Sequence, residues 1–194
     1  MAVRLRIVGP VIPFGRANVD TDLIIPARHM RTTGRGGLGA GAFEALRDTP
    51  GNPFDDPCYR GAPILVAGAN FGCGSSREHA VWALQQIGVE AVIAPSFGEI
   101  FEANALRNGL VPVRLPDDSV EALLELGPEQ HVTIDLIAER VLAPHGELAF
   151  RLDPFRKHCL VNGLDEIAVT KSHRADIAAY EARARRERPW EQQA

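Results

Sequence analysis

Apolar residues gather mid-chain in short continuous runs separated by helix-length segments. Ile64-Leu65-Val66-Ala67 and Ala91-Val92-Ile93-Ala94 have the length and continuity of strands buried on both faces. Between them, Ala80, Val81, Ala83, Leu84 and Ile87 recur on one face of a helix over 77–87, stopped by Gly88. The pattern then repeats. Ile100, Phe101, Ala103, Ala105 and Leu106 mark a helix over 99–108, closed by Gly109, and a third strand covers 110–115. Strand–helix–strand–helix–strand order predicts parallel pairing, with ligand sites beyond the carboxyl ends of the strands.

The flanks carry weaker signals. The first 25 residues read as extended segments broken by Gly9-Pro10 and Pro13, leading into the polar Asn18-Val19-Asp20-Thr21-Asp22. Residues 28–62 are poor in core-formers and rich in Gly, Pro and Arg. This predicts a functional loop or a disordered one, interrupted by a short helix near 41–47. After residue 117 the reading is a short helix over 118–126, strands at 132–136, 140–143 and 147–152, a helix from Asp153-Pro154 to Cys159, and a terminal amphipathic helix over 175–186. The fold class is therefore α/β. A single domain spans residues 1–194, with a parallel central sheet flanked by helices and a partly antiparallel appendage; 172–194 forms a C-terminal helix and tail.

Composition adds exclusions. A chain of 194 residues with 45% hydrophobic and 24% charged content is globular and long enough for one substantial core. The net charge of −4, with Arg183, Arg185, Arg186 and Arg188 interleaved with Glu181 and Glu187, argues against a nucleic-acid partner. No apolar run has membrane-spanning length and the N-terminus lacks a signal-peptide core, so the expectation is a cytoplasmic protein without membrane association. Cys58, Cys73 and Cys159 fit reduced thiols, and their spacing matches no metal-ligand pattern.

The chemistry concentrates in Asn70-Phe71-Gly72-Cys73-Gly74-Ser75-Ser76-Arg77-Glu78-His79-Ala80, directly after the first central strand. Glycines let the backbone approach a ligand, and a helix starting at Ser75 or Ser76 offers free N–H groups to an anion. Ser75 and Ser76 add hydroxyls, and Arg77 adds a bidentate carboxylate clamp. Together they predict a site for a small polycarboxylate. Ser75 with Glu78 also has the spacing of a capping box, but a cap requires neither an Arg nor flanking glycines. Asp20-Thr21-Asp22 reads as a turn or as a faint metal-loop pattern; folded beside the glycine turn, its carboxylates would orient Arg77 or the serines. Arg35 is either a second guanidinium for a dicarboxylate or an exposed loop residue. His79 is a packing residue rather than a ligand.

These residues resemble the swivelling domain of the aconitase superfamily, in the family of 3-isopropylmalate dehydratase (isopropylmalate isomerase) small subunits. The likeness includes Asn18–Asp22 with Ile24-Ile25-Pro26, Ile93-Ala94-Pro95-Ser96-Phe97, Phe155-Arg156-Lys157-His158-Cys159 and Asn162-Gly163-Leu164-Asp165. The resemblance implies a β/β/α swivelling domain and a hydro-lyase of leucine biosynthesis. That enzyme interconverts 2- and 3-isopropylmalate through 2-isopropylmaleate. The [4Fe-4S] cluster is then carried by a large partner subunit, in a heterodimer or heterotetramer, and this chain ligates no metal. Residue by residue, Ser75 matches the catalytic base, and Arg77 the arginine that binds carboxylate and stabilises the alkoxide. Asp22 matches a supporting acid; Ser76, Gly74 and Arg35 match substrate-binding positions. The loop at 28–62 becomes the substrate-specificity region. It departs from the family where apolar residues usually stand: Arg28-His29-Met30-Arg31 leaves Met30 as the apolar contact. This keeps open a paralogous hydratase acting on another small dicarboxylate (methylmalate, dimethylmaleate or homoaconitate class), and a non-catalytic binding protein.

Overall fold

The computed structural model describes residues 5–30, 36–74, 77–188 and 190, with only the backbone of Met30. Seven strands form one sheet: β1 (Arg6–Pro13), β2 (Ile64–Val66), β3 (Ala91–Ala94), β4 (Val111–Arg114), β5 (His131–Asp135), β6 (Arg140–Ala143) and β7 (Gly146–Ala149). Their order is β4-β3-β2-β1-β5-β6-β7. The four strands from β4 to β1 run parallel; β1–β5, β5–β6 and β6–β7 are antiparallel. The expected parallel centre and antiparallel appendage are thus two halves of one sheet.

Strand β1 joins the halves. Arg6–Pro10 pair with β5, and Val11–Pro13 with β2. Gly9-Pro10 does not break the strand as the sequence predicts. Pro10 sits where pairing passes from one neighbour to the other, so its missing N–H costs little there. Gly9 is needed for space, since a Cβ would meet Pro63 at 2.6 Å.

Helices cover both faces. Ile12, Leu65 and Val92 point into a core shared with α2 (Glu78–Gln86) and α3 (Glu99–Asn108); Val11, Ile64, Val66 and Ile93 point the other way, into a core shared with α4 (Asp117–Leu124) and α5 (Pro154–Asn162). Continuous apolar runs follow directly, because both faces are buried. Two-sided burial is worth about 25 cal/mol per Å² of apolar surface.

The stretch 28–62 differs from its reading. In place of a helix at 41–47, 3-10 turns occupy Ala27–Met30, Leu38–Gly41, Glu44–Leu46 and Pro57–Tyr59. Nor is it empty of core: Leu38, Ala42 and Phe43 are buried, and Phe43 stacks on Phe54 at 3.9 Å. Phe43 adopts φ +51 at the break between two turns, which interrupts any longer helix. Helix α6 (Glu166–Ser172) is absent from the sequence reading, because no apolar period marks it; Asp165 nevertheless caps it by accepting from the Ala168 N–H. The last helix, α7 (Arg174–Glu187), buries no residue, so its anticipated apolar face is uncovered among the described residues. No helix among them is long and apolar enough to cross a membrane.

The β5–β6 turn is held electrostatically. Asp135 accepts from the Ala138 N–H and from Arg6 Nε, each at 2.8 Å, and Lys157 Nζ donates to Glu139 at 2.8 Å. The Ala138 N–H, then Arg6, lowers the Asp135 pKa; Lys157 lowers that of Glu139, against the cost of burial. Depressed carboxyls give stability that is full above their unfolded values and drains as pH falls through the folded ones. The expected outcome is a loss of urea-unfolding stability as pH drops below about 4, with a shallower slope in Asp135→Asn.

Candidate active site

Three segments meet past the carboxyl end of β2. The chain leaving β1 runs alongside the chain leaving β2. Asn18 N–H donates to Ala69 O, and the Val19 carbonyl accepts from both Gly72 and Cys73, at 2.7 and 3.1 Å. Asp20 bridges Cys73, and Thr21 N–H donates to Cys73 O. The residues after β3 attach on another side: Phe71 N–H donates to Ser96 O, Gly98 N–H to Phe71 O, and Asn70 N–H to Ser96 Oγ. Asn18 and Asn70, both with left-handed backbone, are joined by an amide–amide hydrogen bond of 2.9 Å.

This convergence requires glycine twice. Gly72 has φ +73, and a Cβ there would lie 2.2 Å from Phe101 Cγ. At Gly98 a Cβ would lie 2.5 Å from the Gly72 carbonyl oxygen. Both are closer than real side chains allow. Gly74, by contrast, is exposed, with φ +86 and ordinary room around it.

Asp20 starts a single helical turn, α1 (Thr21–Ile24), by accepting from the Leu23 N–H. The turn reading of Asp20-Thr21-Asp22 is therefore the one realised. It aims Asp22 at Arg77, whose Nη1 donates to Asp22 Oδ1 at 2.8 Å. The guanidinium is largely buried while the carboxylate is more than half exposed. Such a pair is worth about 0–1 kcal/mol, so its main effect is to fix the guanidinium rather than the fold.

Helix α2 starts later than expected, at Glu78, with Arg77 as its N-cap. The capping-box reading fails for the same reason, since Glu78 is the first helical residue and accepts from Asn108 Nδ2. Asn108 also accepts from Trp82 Nε1 and, through its backbone carbonyl, from Gln85, which ties α2 to the end of α3. His79 packs on Trp82, and its buried Nε2 has no hydrogen-bond partner among the described residues.

Of the residues singled out in the sequence, Asp22, Gly74 and Arg77 are brought to this junction. Ser75, Ser76 and Arg35 lie outside the described residues, as does the side chain of Met30. Arg28 and His29 are both occupied within the loop. Both engage Glu44, Arg28 through Nη2 at 2.7 Å and His29 through Nε2. Sequence reasoning missed Glu44 and Gly98; it quoted Asn18 and Asn70 within the two polar motifs but gave neither a role, and their left-handed backbone and mutual hydrogen bond emerge only in the fold. Among the described residues no group of three or more His, Cys, Asp or Glu gathers as a metal site, and the three cysteines are free thiols.

The aconitase C-terminal domain family matches residues 1–118. A 3-isopropylmalate dehydratase small subunit from Novosphingobium aromaticivorans is 55% identical over 186 residues, covering 95% of this chain and 92% of that protein. The same-named protein of Zymomonas mobilis is 52% identical over 183 residues, covering 94% and 95%. The chain belongs to this family. A crystal structure titled 3-isopropylmalate dehydratase from Methanocaldococcus jannaschii superposes with a TM-score of 0.70 at 30% identity, over 90% of this chain and 99% of that one. Membership of the isopropylmalate dehydratase small-subunit family and a junction ending in Asp22–Arg77 thus coincide in one molecule.

The junction separates two kinds of substitution by their stability. Gly72→Ala combines a clash with a positive φ and should cost about 2–4 kcal/mol of urea-unfolding free energy. Asp22→Asn should change it by less than about 1 kcal/mol.

Proposed function

We propose that this chain is the small subunit of a heteromeric hydro-lyase, acting in the cytoplasm with a larger subunit, that interconverts 2- and 3-isopropylmalate through 2-isopropylmaleate in leucine biosynthesis. One observation carries the reading: Asp22 holds Arg77 where three segments converge beyond the parallel strands, in a chain half identical to proteins of that name.

The roles follow from the chemistry. Dehydration breaks a C–H bond beside a carboxylate and a C–O bond on the adjacent carbon. Ser75 Oγ, as the alkoxide, takes the proton; the C–H electron pair becomes the alkene bond, and the hydroxyl departs with its bonding pair and leaves as water once it takes a second proton from solvent. A serine hydroxyl is a very weak acid, so its deprotonated form needs positive charge and exclusion of water. Arg77 supplies the charge and binds a substrate carboxylate; Asp22 keeps its guanidinium oriented. Ser76 and the Gly74 backbone donate to substrate oxygens, Arg35 binds the second carboxylate, and Met30 contacts the isopropyl group. Rehydration with the opposite regiochemistry reverses these steps.

A [4Fe-4S] cluster fits poorly in this chain. Cys58 is exposed, Cys159 is buried, and the described residues assemble no ligand set. We assign the cluster to the larger subunit, where it supplies Lewis-acid chemistry to the substrate hydroxyl.

In the reconstituted two-subunit enzyme, Ser75→Ala should lower kcat by about 10²–10⁴-fold, with assembly by size exclusion unchanged. Unaltered turnover would instead support a non-catalytic binding role. Arg77→Lys should raise KM as well as lower kcat, because a point charge replaces a bidentate fork. Negligible turnover of isopropylmalate alongside good turnover of citraconate or dimethylmaleate would transfer the assignment to a paralogous hydratase.

A further inference from the structure

We propose that Glu44 is a positioning residue for substrate selection: its carboxylate gathers the Arg28 guanidinium and the His29 imidazole and withholds both from the substrate's variable group. This rests on the reading that the 28–31 motif borders that group.

The geometry is specific. Arg28 Nη2 and His29 Nε2 both reach Glu44 Oε2 from one 3-10 turn, and Glu44 opens the facing turn, Glu44–Leu46. The carboxylate is delivered from a firm base. Phe43 is fully buried, donates its N–H to Ile24 O at 2.9 Å, and packs against Phe14 and Phe54. Ile24 belongs to α1, the turn that carries Asp22. The imidazole also has a prepared seat, since a Cβ on Gly41 would lie 2.7 Å from the His29 ring. Arg28, then His29, lowers the Glu44 pKa, so the anion persists at neutral pH.

The consequence is chemical. A cation beside an isopropyl group has no partner and loses solvent, which penalises the apolar acid. The same cation beside a carboxylate-bearing side chain gains a charge-assisted hydrogen bond. Glu44 therefore lets a motif that reads as cationic accept an apolar substituent.

The experiment is steady-state kinetics of the reconstituted enzyme on isopropylmalate, on its methyl analogue, and on the homologue with a carboxylate-bearing chain in place of isopropyl. Glu44→Gln should shift the kcat/KM ratio toward the extra carboxylate by about tenfold or more. Arg28→Leu added to Glu44→Gln should restore most of the parent ratio, a rescue that mere loss of structure would not give. Gly41→Ala, which evicts the ring without touching a charge, should shift the ratio in the same direction. Unchanged ratios in Glu44→Gln and Gly41→Ala, or a double variant that fails to restore selectivity, would overturn the inference. Met30→Ala tests the underlying reading separately. If it leaves the isopropyl-to-methyl ratio unaltered, the motif does not border the variable group and the latch has nothing to select.

Discussion

The Val19 carbonyl accepts hydrogen bonds from the Gly72 and Cys73 N–H groups, and the arrangement of the site depends on that short ladder. It fixes the sequence offset between two segments that are distant along the chain. Asn18 then meets Asn70, Asp20 meets Cys73, and Asp22 meets Arg77. A slip of one residue would bring a different residue of α1 opposite Arg77. The backbone thus sets which carboxylate meets which guanidinium, and the ion pair itself needs to contribute little energy.

The ladder forms because β1 and β2 are already parallel neighbours, with Pro13 opposite Val66. Both chains leave the sheet at the same end and continue side by side. Glycine at 72 and 98 lets the loop after β3 pack onto the same turn without a side chain intervening. Folding energy and site geometry share a source here. Phe71, Phe97 and Phe101 bury the underside of the turn as a cluster, with Phe71 and Phe101 centroids 5.2 Å apart. A packed aromatic floor resists displacement in a way that an exposed loop does not.

What the sequence makes legible follows from where the physics is local. The strands at 91–94 and 140–143 and the helix at 99–108 read correctly, because burial on a regular period writes itself into the residues. The glycine turn and Asp22 were legible as polar concentrations next to apolar runs. Other features depend on distant partners. Pro10 survives inside β1 only because two different strands exchange there, and Glu44 acquires meaning only when Arg28 and His29 fold onto it. The 3-10 turns of 36–62 lack a helical period, although Phe43 gives them a core. Helix α6 lacks an apolar stripe, and only its cap at Asp165 marks it.

The site's exposure explains why this chain should work as half of an enzyme. Asp22 is 57% exposed and Gly74 faces solvent, so water reaches the outer, carboxylate side of the junction. In water a guanidinium lowers a neighbouring pKa only modestly, because the dielectric screens it. The alkoxide base proposed at Ser75 would therefore need more than the Arg77 charge acting through water. A second surface closing over the turn would remove that screening and strengthen each charge interaction inside several-fold. Under the proposed mechanism, dividing the site between two polypeptides would have a physical rationale: proton abstraction would stay switched off until substrate is enclosed.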